Sequence, residues 1–345
     1  MSIITRGTML NFDEARFRLI QTGAVTLAGA IRRTMAALQS AGGENLHFLG
    51  AGGAGVLMLP AAQLLQRTST FPTFLMQPAE MMAQGSVALH DRSIVVLPSL
   101  SGTTPETQDM LAYAQRRGAK VVALTGHADS PVAQQADVNF TNFAEDDTSS
   151  ESFYLQSLLI ALAVRAERGE LEGFDRIVAQ LQLLPELLLE VKRAFEPRAA
   201  ELAADLKDEP FHIITGAGGT WAQAWYYGTC ILEEMQWIRT RPIHAADFFH
   251  GTLELVEPGV SVMLFMGEDA SRPLIQRVGA FVPEFTEKVT LLDTADCVLP
   301  GIDPDVRALI SPVVLATITE RLSAHLEVLR EHPLTTRRYY RRREY

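Results

Sequence analysis

Four hydroxyl residues surround Gly102 in the stretch SLSGTTPET, residues 99–107: Ser99, Ser101, Thr103 and Thr104. Hydroxyls and unpaired backbone N–H groups at a helix N-terminus suit a phosphate dianion. Nothing in the stretch is positively charged. A small phosphate ester held by neutral donors therefore fits better than a polyphosphate, which would want lysine or magnesium. Some of the hydroxyl content serves structure. Thr103 and Glu106 have capping-box spacing, and Thr104 before Pro105 also fits a helix start. That leaves Ser99 and Ser101 without a structural reason.

A second loaded stretch covers residues 233–259, EEMQWIRTRPIHAADFFHGTLELVEPG, with acids and histidines among apolar residues. Taken singly, Glu234 reads as a solvated helical glutamate and His250 as a histidine satisfied within the fold. His244 and His250 lack zinc-ligand spacing and have no third ligand near them, so no metal is expected. The run GAGGAG, residues 50–55, places Gly52 and Gly53 where backbone must approach closely at a strand's carboxyl end. It is not GxGxxG, it lacks a P-loop lysine, and no acidic residue closes a second strand about twenty positions on. Dinucleotide binding is disfavoured and no cofactor is expected.

These residues need elements to hold them. Apolar runs of strand length alternate with helical segments. NLHFLG, FPTFLM, SIVVL, AKVVALTG and VNFTNF read as strands in the first half, and SESFYLQSLLIALAVRAERG as its closing helix. Residues 172–208 read as helical and linker-like. The pattern then restarts with FHIITG, followed by the helix TWAQAWYYGTCILEEMQWI, the strands GVSVMLFMG, KVTLLDT and ADCVLP, and two further helices. HFLGAGGAG and HIITGAGGT form an internal repeat, which implies two copies of one α/β domain. Continuous β-rich runs, each backed by a helix, mean parallel sheets covered on both faces.

A chain of 345 residues accommodates two domains. The net charge of −11 argues against nucleic acid as a partner. The exception is the basic tail RRYYRRREY, which reads as a soluble end or as a segment that docks. No apolar run reaches the ~18 residues of a membrane span. The N-terminus has acids where a signal peptide is apolar, so a cytoplasmic location is expected. Cys230 and Cys297 make no disulfide framework and are expected to be buried apolar residues.

A Ser-x-Ser-Gly-x-Thr loop after the third strand of a doubled α/β domain resembles the sugar isomerase (SIS) family. The resemblance implies two tandem SIS-type domains: residues 1–170 with an N-terminal helix, a helical linker over 171–208, and 209–345 with a C-terminal tail. It implies that Ser99, Ser101 and Thr104, with the backbone at Gly102, hold the phosphate of a sugar 6-phosphate, and that Gly52 and Gly53 line the sugar. Ala51 and Ala54 stand where the family has Cys and a sugar-binding Ser. Glu234, followed sixteen positions later by His250 in ADFFHGT, resembles the isomerase half of glucosamine-6-phosphate synthase. EMQWI, FFHG, HGTLELVEPGV and the ending HPLTTRRY…EY are similar to the deglycases of 6-phosphorylated Amadori compounds. Ala246, Asp247 and Thr252 depart from that pattern, where Gly, Glu and Pro are usual.

What the resemblance implies is a deglycase that cleaves a fructosamine 6-phosphate with water to glucose 6-phosphate and an amine or amino acid. Glu234 is then the base that moves the C1–C2 proton, and His250 the acid–base for ring opening. Neither role needs a metal. Glu151, Arg337, Arg338 and Tyr339 are implied to bind substrate. The His-bearing loop is implied to serve the partner subunit's site, hence a homodimer or larger with shared sites. Alternatives are an aldose–ketose phosphosugar isomerase, an ammonia-dependent aminosugar-phosphate synthase, or a non-catalytic phosphosugar sensor.

Overall fold

The computed structural model describes residues 9–144, 150–340 and 342–343. Its first half opens with helices α1 (Glu14–Thr26) and α2 (Ala28–Ser40). Then come β1 (Asn45–Phe48), α3 (Gly52–Val56), α4 (Leu59–Thr68), β2 (Thr73–Leu75) and α5 (Pro78–Gln84). They are followed by β3 (Ser93–Ser99), α6 (Pro105–Arg116), β4 (Lys120–Thr125), α7 (Pro131–Gln135), β5 (Val138–Thr141) and α8 (Ser150–Glu167). All five strands are parallel, in the order β2-β1-β3-β4-β5. Valine and isoleucine fill β3, whose seven residues are all buried, as a strand covered on both faces requires. The strand continues through Pro98 to Ser99. Pairing with β1 ends at Phe48–Val96, so the missing Pro98 N–H costs no bond on that side.

Helices α9 (Phe174–Leu181) and α10 (Leu184–Leu206) lead into the second half. The segment that read as linker-like is helical, and α10 packs against α1 and the last helix of the chain with Leu184, Leu188 and Leu189 fully buried. The second half holds β6 (Phe211–Gly216), α11 (Gly219–Tyr226), β7 (Arg239–His244), β8 (Ser261–Met266), α12 (Arg272–Phe281), β9 (Val289–Asp293) and α13 (Pro304–Leu329). Its parallel sheet has the order β7-β6-β8-β9, the same winding as β2-β1-β3-β4. The repeat seen in the sequence is thus structural: both glycine runs follow the first strand of their sheet. Helix α8, buried from Ser150 to Val164, lies against α13, and one apolar core runs through both halves. No helix among the described residues is long and apolar enough to cross a membrane.

Three local expectations are corrected. The helix expected to run from Thr220 through Ile238 is α-helical only to Tyr226, and continues as a π-helix over Tyr227–Glu233. It then reverses at Trp237, whose φ is +56°, into β7, a strand that the sequence did not announce. RTRPIH contains proline and alternates poorly, which only an edge strand tolerates. Glu233 Oε1 fastens the turn by accepting the Thr240 N–H at 3.2 Å and its hydroxyl at 2.7 Å. ADCVLP is not a strand. Asp293 accepts the Ala295 N–H at 2.9 Å and bends the chain into a short 3-10 turn, Thr294–Asp296.

Candidate active site

The first sheet reverses its winding between β1 and β3, and at such a point the carboxyl ends of two neighbouring strands open a crevice. The glycine run after β1 and the hydroxyl loop after β3 meet there. Gly102, with φ +62°, turns the loop, and a Cβ there would lie 2.0 Å from Ser130 Oγ. Ser99 Oγ accepts the Gly102 N–H at 3.2 Å, and Ser101 Oγ accepts the Thr103 N–H at 3.3 Å and hydroxyl at 3.1 Å. The capping box expected from Thr103 and Glu106 is not formed. Thr104 is the N-cap, Pro105 takes the first helical position, and no side chain caps the helix. The Thr104 hydroxyl is thereby not used by the helix, and the residue faces the crevice.

The second half closes this crevice. Helix α11 and its π-helical extension cross the glycines so closely that a Cβ on Gly53 would lie 2.8 Å from the Tyr226 ring and 3.1 Å from Cys230 Sγ. The extra residue in a π-turn rotates the side chains beyond it about the helix axis, and such turns recur at functional sites. Here Glu233 is held by β7, while the next residue, Glu234, faces the cavity. The resulting cavity of about 650 Å³ is lined by Gly52, Gly53, Ser99, Ser101 and Thr104 from one half and by Glu234 from the other. The C-terminal tail completes it. Arg337 Nε pairs with Glu234 Oε1 at 2.9 Å, and its Nη1 donates to the carbonyls of both Leu334 and Thr336. The apolar setting of Glu234 is therefore partial: Leu232 and Met235 are buried, but Trp237 is exposed and lies under Arg338.

Other expected site residues fall elsewhere. Gly102 shapes the loop without lining the cavity. Arg338 stacks on Trp237, 4.1 Å from the ring centre, and Tyr339 points to solvent; Tyr340 and Arg342 line the cavity in their place. His250 is exposed, on the turn after β7, and does not reach the cavity of its own chain. Cys230 and Cys297 are half-buried rather than core residues, and Cys230 lines the cavity. Its lining also includes His127, Phe153 and Tyr226, which sequence reasoning did not single out. His127 follows β4 at the carboxyl edge of the same sheet, so the strand-end rule was a signal that could have found it.

Glu151 lines a second cavity of about 230 Å³ beside the first, with which it shares Met235, Thr335 and Arg337. The residue is fully buried. Its Oε1 accepts from Lys192 Nζ at 3.2 Å, while Lys192 lies 2.8 Å from Glu320. Burial pushes the Glu151 carboxyl up, and the Lys192 charge offsets this only in part, while the Glu320 carboxylate adds to it. Burial acts on Glu320 in the same sense, but Lys192 and Arg321 outweigh it and hold that carboxyl at about 2.

The corresponding crevice of the second half is narrowed to a cavity of about 40 Å³. After β6, Gly218 has φ +54°, and a Cβ on it would lie 2.4 Å from Asp269 Oδ2. That carboxylate accepts the Gly219 N–H at 3.1 Å and the Ser271 N–H at 2.7 Å. A protein anion occupies the donors that a ligand phosphate would use. Of the two switch points, the first half's opens into the larger cavity.

A doubled, parallel α/β fold with a hydroxyl-rich loop at the open switch point defines a class of sugar-phosphate proteins. Residues 41–166 match the SIS domain. Over 311 residues the chain is 30% identical to fructosamine deglycase FrlB of Bacillus subtilis, covering 88% of this chain and 93% of the relative. It is 26% identical over 298 residues to fructoselysine 6-phosphate deglycase of Escherichia coli, with 86% and 85% covered. A solved structure of a candidate phosphosugar isomerase from Bacillus subtilis superimposes with a TM-score of 0.84 at 28% identity, covering 93% of this chain and all of that one. The chain belongs to the SIS domain family, and its two sheets are two tandem SIS-type domains.

Proposed function

We propose that the protein is an enzyme of sugar-phosphate metabolism, and specifically a deglycase that converts a fructosamine 6-phosphate and water into glucose 6-phosphate and a free amino acid or amine. The single observation that carries this reading is that Glu234 and the hydroxyl loop Ser99–Ser101–Thr104 line one cavity. With the phosphate on the loop, the far end of a six-carbon sugar, C1 and C2, faces the carboxylate.

The chemistry builds on that arrangement. Opening the fructose ring breaks the bond from C2 to the ring oxygen; that oxygen gains a proton and the C2 hydroxyl loses one. Glu234 then takes a proton from C1 as the C2 carbonyl oxygen gains one, leaving an enaminol, and returns a proton to C2 as the amine nitrogen gives one up. The product is an imine between C1 and the amine nitrogen. Water adds to C1, and the C1–N bond breaks to release the amine. Each positioned acid or base contributes about 10²–10⁴ in rate. Arg337, paired with Glu234, orients the carboxylate and holds the tail across it. His250 is the acid–base for ring opening. Because it is exposed and remote from its own chain's cavity, the reading requires that it enter a neighbouring copy's site, in a homodimer or larger assembly. No metal takes part in these steps.

An aldose–ketose phosphosugar isomerase would share the ring opening and the proton transfer, and the likeness to a candidate phosphosugar isomerase favours it as the second reading. Product analysis separates the two. Purified protein is incubated with a panel of 6-phosphorylated Amadori compounds and with fructose 6-phosphate, and glucose 6-phosphate is followed with a coupled dehydrogenase. Release from the Amadori compounds together with stoichiometric free amine is expected. Turnover of fructose 6-phosphate alone would replace the deglycase by the isomerase.

A further inference from the structure

The second cavity lies where the amine half of such a substrate must go. The phosphate end sits at the Ser101 loop and Glu234 acts at C1, so a group attached to C1 extends past Glu234, away from the loop. Met235, Thr335 and Arg337 border both cavities at that point. The far wall comes from α1, and its inward residues include Gln21. Gln21 is fully buried, and neither its Oε1 nor its Nε2 has a hydrogen-bond partner among the described residues. Burying a carboxamide with neither atom bonded is costly, so native structures supply partners for such groups. By contrast, Lys192 in the same cavity is bonded by both Glu151 and Glu320, and Glu327 accepts the Leu334 N–H at 2.9 Å. Gln21 is the group that waits for a ligand, and it presents one donor and one acceptor side by side.

We propose that this cavity is the subsite for the amine half of the substrate, and that Gln21 reads it. The favoured class is an amino acid whose side chain carries a hydrogen-bond donor and acceptor; alkyl and apolar amines are disfavoured. An apolar group would leave the Gln21 carboxamide unpaired in the complex, and a site built to hydrogen-bond rejects the analogue that lacks the bond more strongly than an apolar pocket rejects an extra methylene. This inference rests on the deglycase reading for its substrate, but its test does not depend on turnover.

The probes are the 6-phosphofructosyl derivatives of glutamine and of methionine, which have similar length and the same α-carboxylate, with fructose 6-phosphate as a reference lacking an amine half. Binding to the full chain is measured by titration calorimetry in the Glu234→Gln background, and glucose 6-phosphate release in the otherwise wild-type protein. The glutamine compound is expected to bind about tenfold or more tighter than the methionine compound. Gln21→Leu should erase that difference and leave fructose 6-phosphate unchanged. If Gln21 were only an unsatisfied core residue, Gln21→Leu would raise thermal stability and leave the preference untouched, which would overturn the inference. Equal binding of the two compounds by the parent protein would overturn it with no variant needed. Selective binding with no glucose 6-phosphate released would keep the subsite and refute the deglycase. Release from both compounds at one kcat/KM, unaltered in Gln21→Leu, would keep the deglycase and refute the subsite.

Discussion

Glu234 lines the cavity and His250 does not, and this separation makes a sharp test of whether the two share a site in an assembly. Glu234→Gln keeps the side-chain shape and an oxygen for Arg337, which now lies 2.9 Å from the carboxylate, so the tail should stay seated. What is lost is the base. Turnover should fall by about 10²–10⁴, which corresponds to roughly 3–5 kcal/mol of transition-state stabilisation, with substrate binding nearly kept. His250→Asn should behave alike on a closed-ring substrate. If the loop after β7 reaches a neighbour, each single variant has both of its sites defective. A mixed dimer of the two variants has one site with both residues intact and one with neither. Unfolding and refolding an equimolar mixture pairs chains at random; half the dimers are mixed, each with one good site, and activity returns toward roughly a quarter of wild type. The background from either variant alone is about a hundredth or less, so the gain is easy to see in the glucose 6-phosphate assay. Absence of recovery in a sample shown by mass to contain mixed dimers would refute the reasoning: either both residues serve one subunit's site or this pair does not do the chemistry.

The phosphate assignment predicts that Ser101→Ala and Thr104→Ala each weaken binding of a sugar 6-phosphate by about 1.5–3 kcal/mol, one charge-assisted hydrogen bond, and leave the plain sugar nearly indifferent; calorimetry showing equal losses for both sugars would remove the phosphate from the loop. Chelation with EDTA should leave activity intact, since the proton transfers use side chains; loss of activity restored by magnesium or zinc would sink the metal-free mechanism. Burial holds the His212 imidazole down at about 4, while its Nδ1 lies 2.8 Å from Ser261 Oγ. The unfolded chain binds this proton first as pH falls, so the stability it contributes is present above about 6.5 and is lost progressively between there and about 4. The loss amounts to about 3 kcal/mol. Denaturant titrations should show His212→Gln flattening that window, and an unchanged pH slope would contradict the assignment.

Much of the fold was legible because its signals are local. A parallel strand covered on both faces must be apolar along its length, and SIVVL and SVMLFM are. The glycine repeat marked the two equivalent strand ends. What escaped was decided at a distance. RTRPIH became a strand because β6 offered it an edge and Glu233 pinned its start. Thr103 and Glu106 have the spacing of a capping box, but Ser101 holds Thr103 and the helix begins one residue later. In the tail, Arg337 was legible from its likeness to related endings. Its neighbour was not, since the bare Trp237 face draws Arg338 out of the cavity.

The two halves also show why a motif read from one sequence yields a site only when its surroundings are known. Both first strands lead into Gly-Ala-Gly-Gly, and both glycine runs sit at a switch point. The loop after the third strand decides what those runs meet. After β3 it brings neutral hydroxyls and leaves room for an anion from solution; after β8 it brings Asp269, whose carboxylate takes the Gly219 and Ser271 N–H groups itself. A buried donor cluster is stable only when something accepts from it. The second half meets that need from its own chain, and it contributes Glu234 across the boundary to the larger cavity of the first. The difference between the copies thus turns on one loop, which supplies an internal anion in one half and neutral hydroxyls facing the larger cavity in the other.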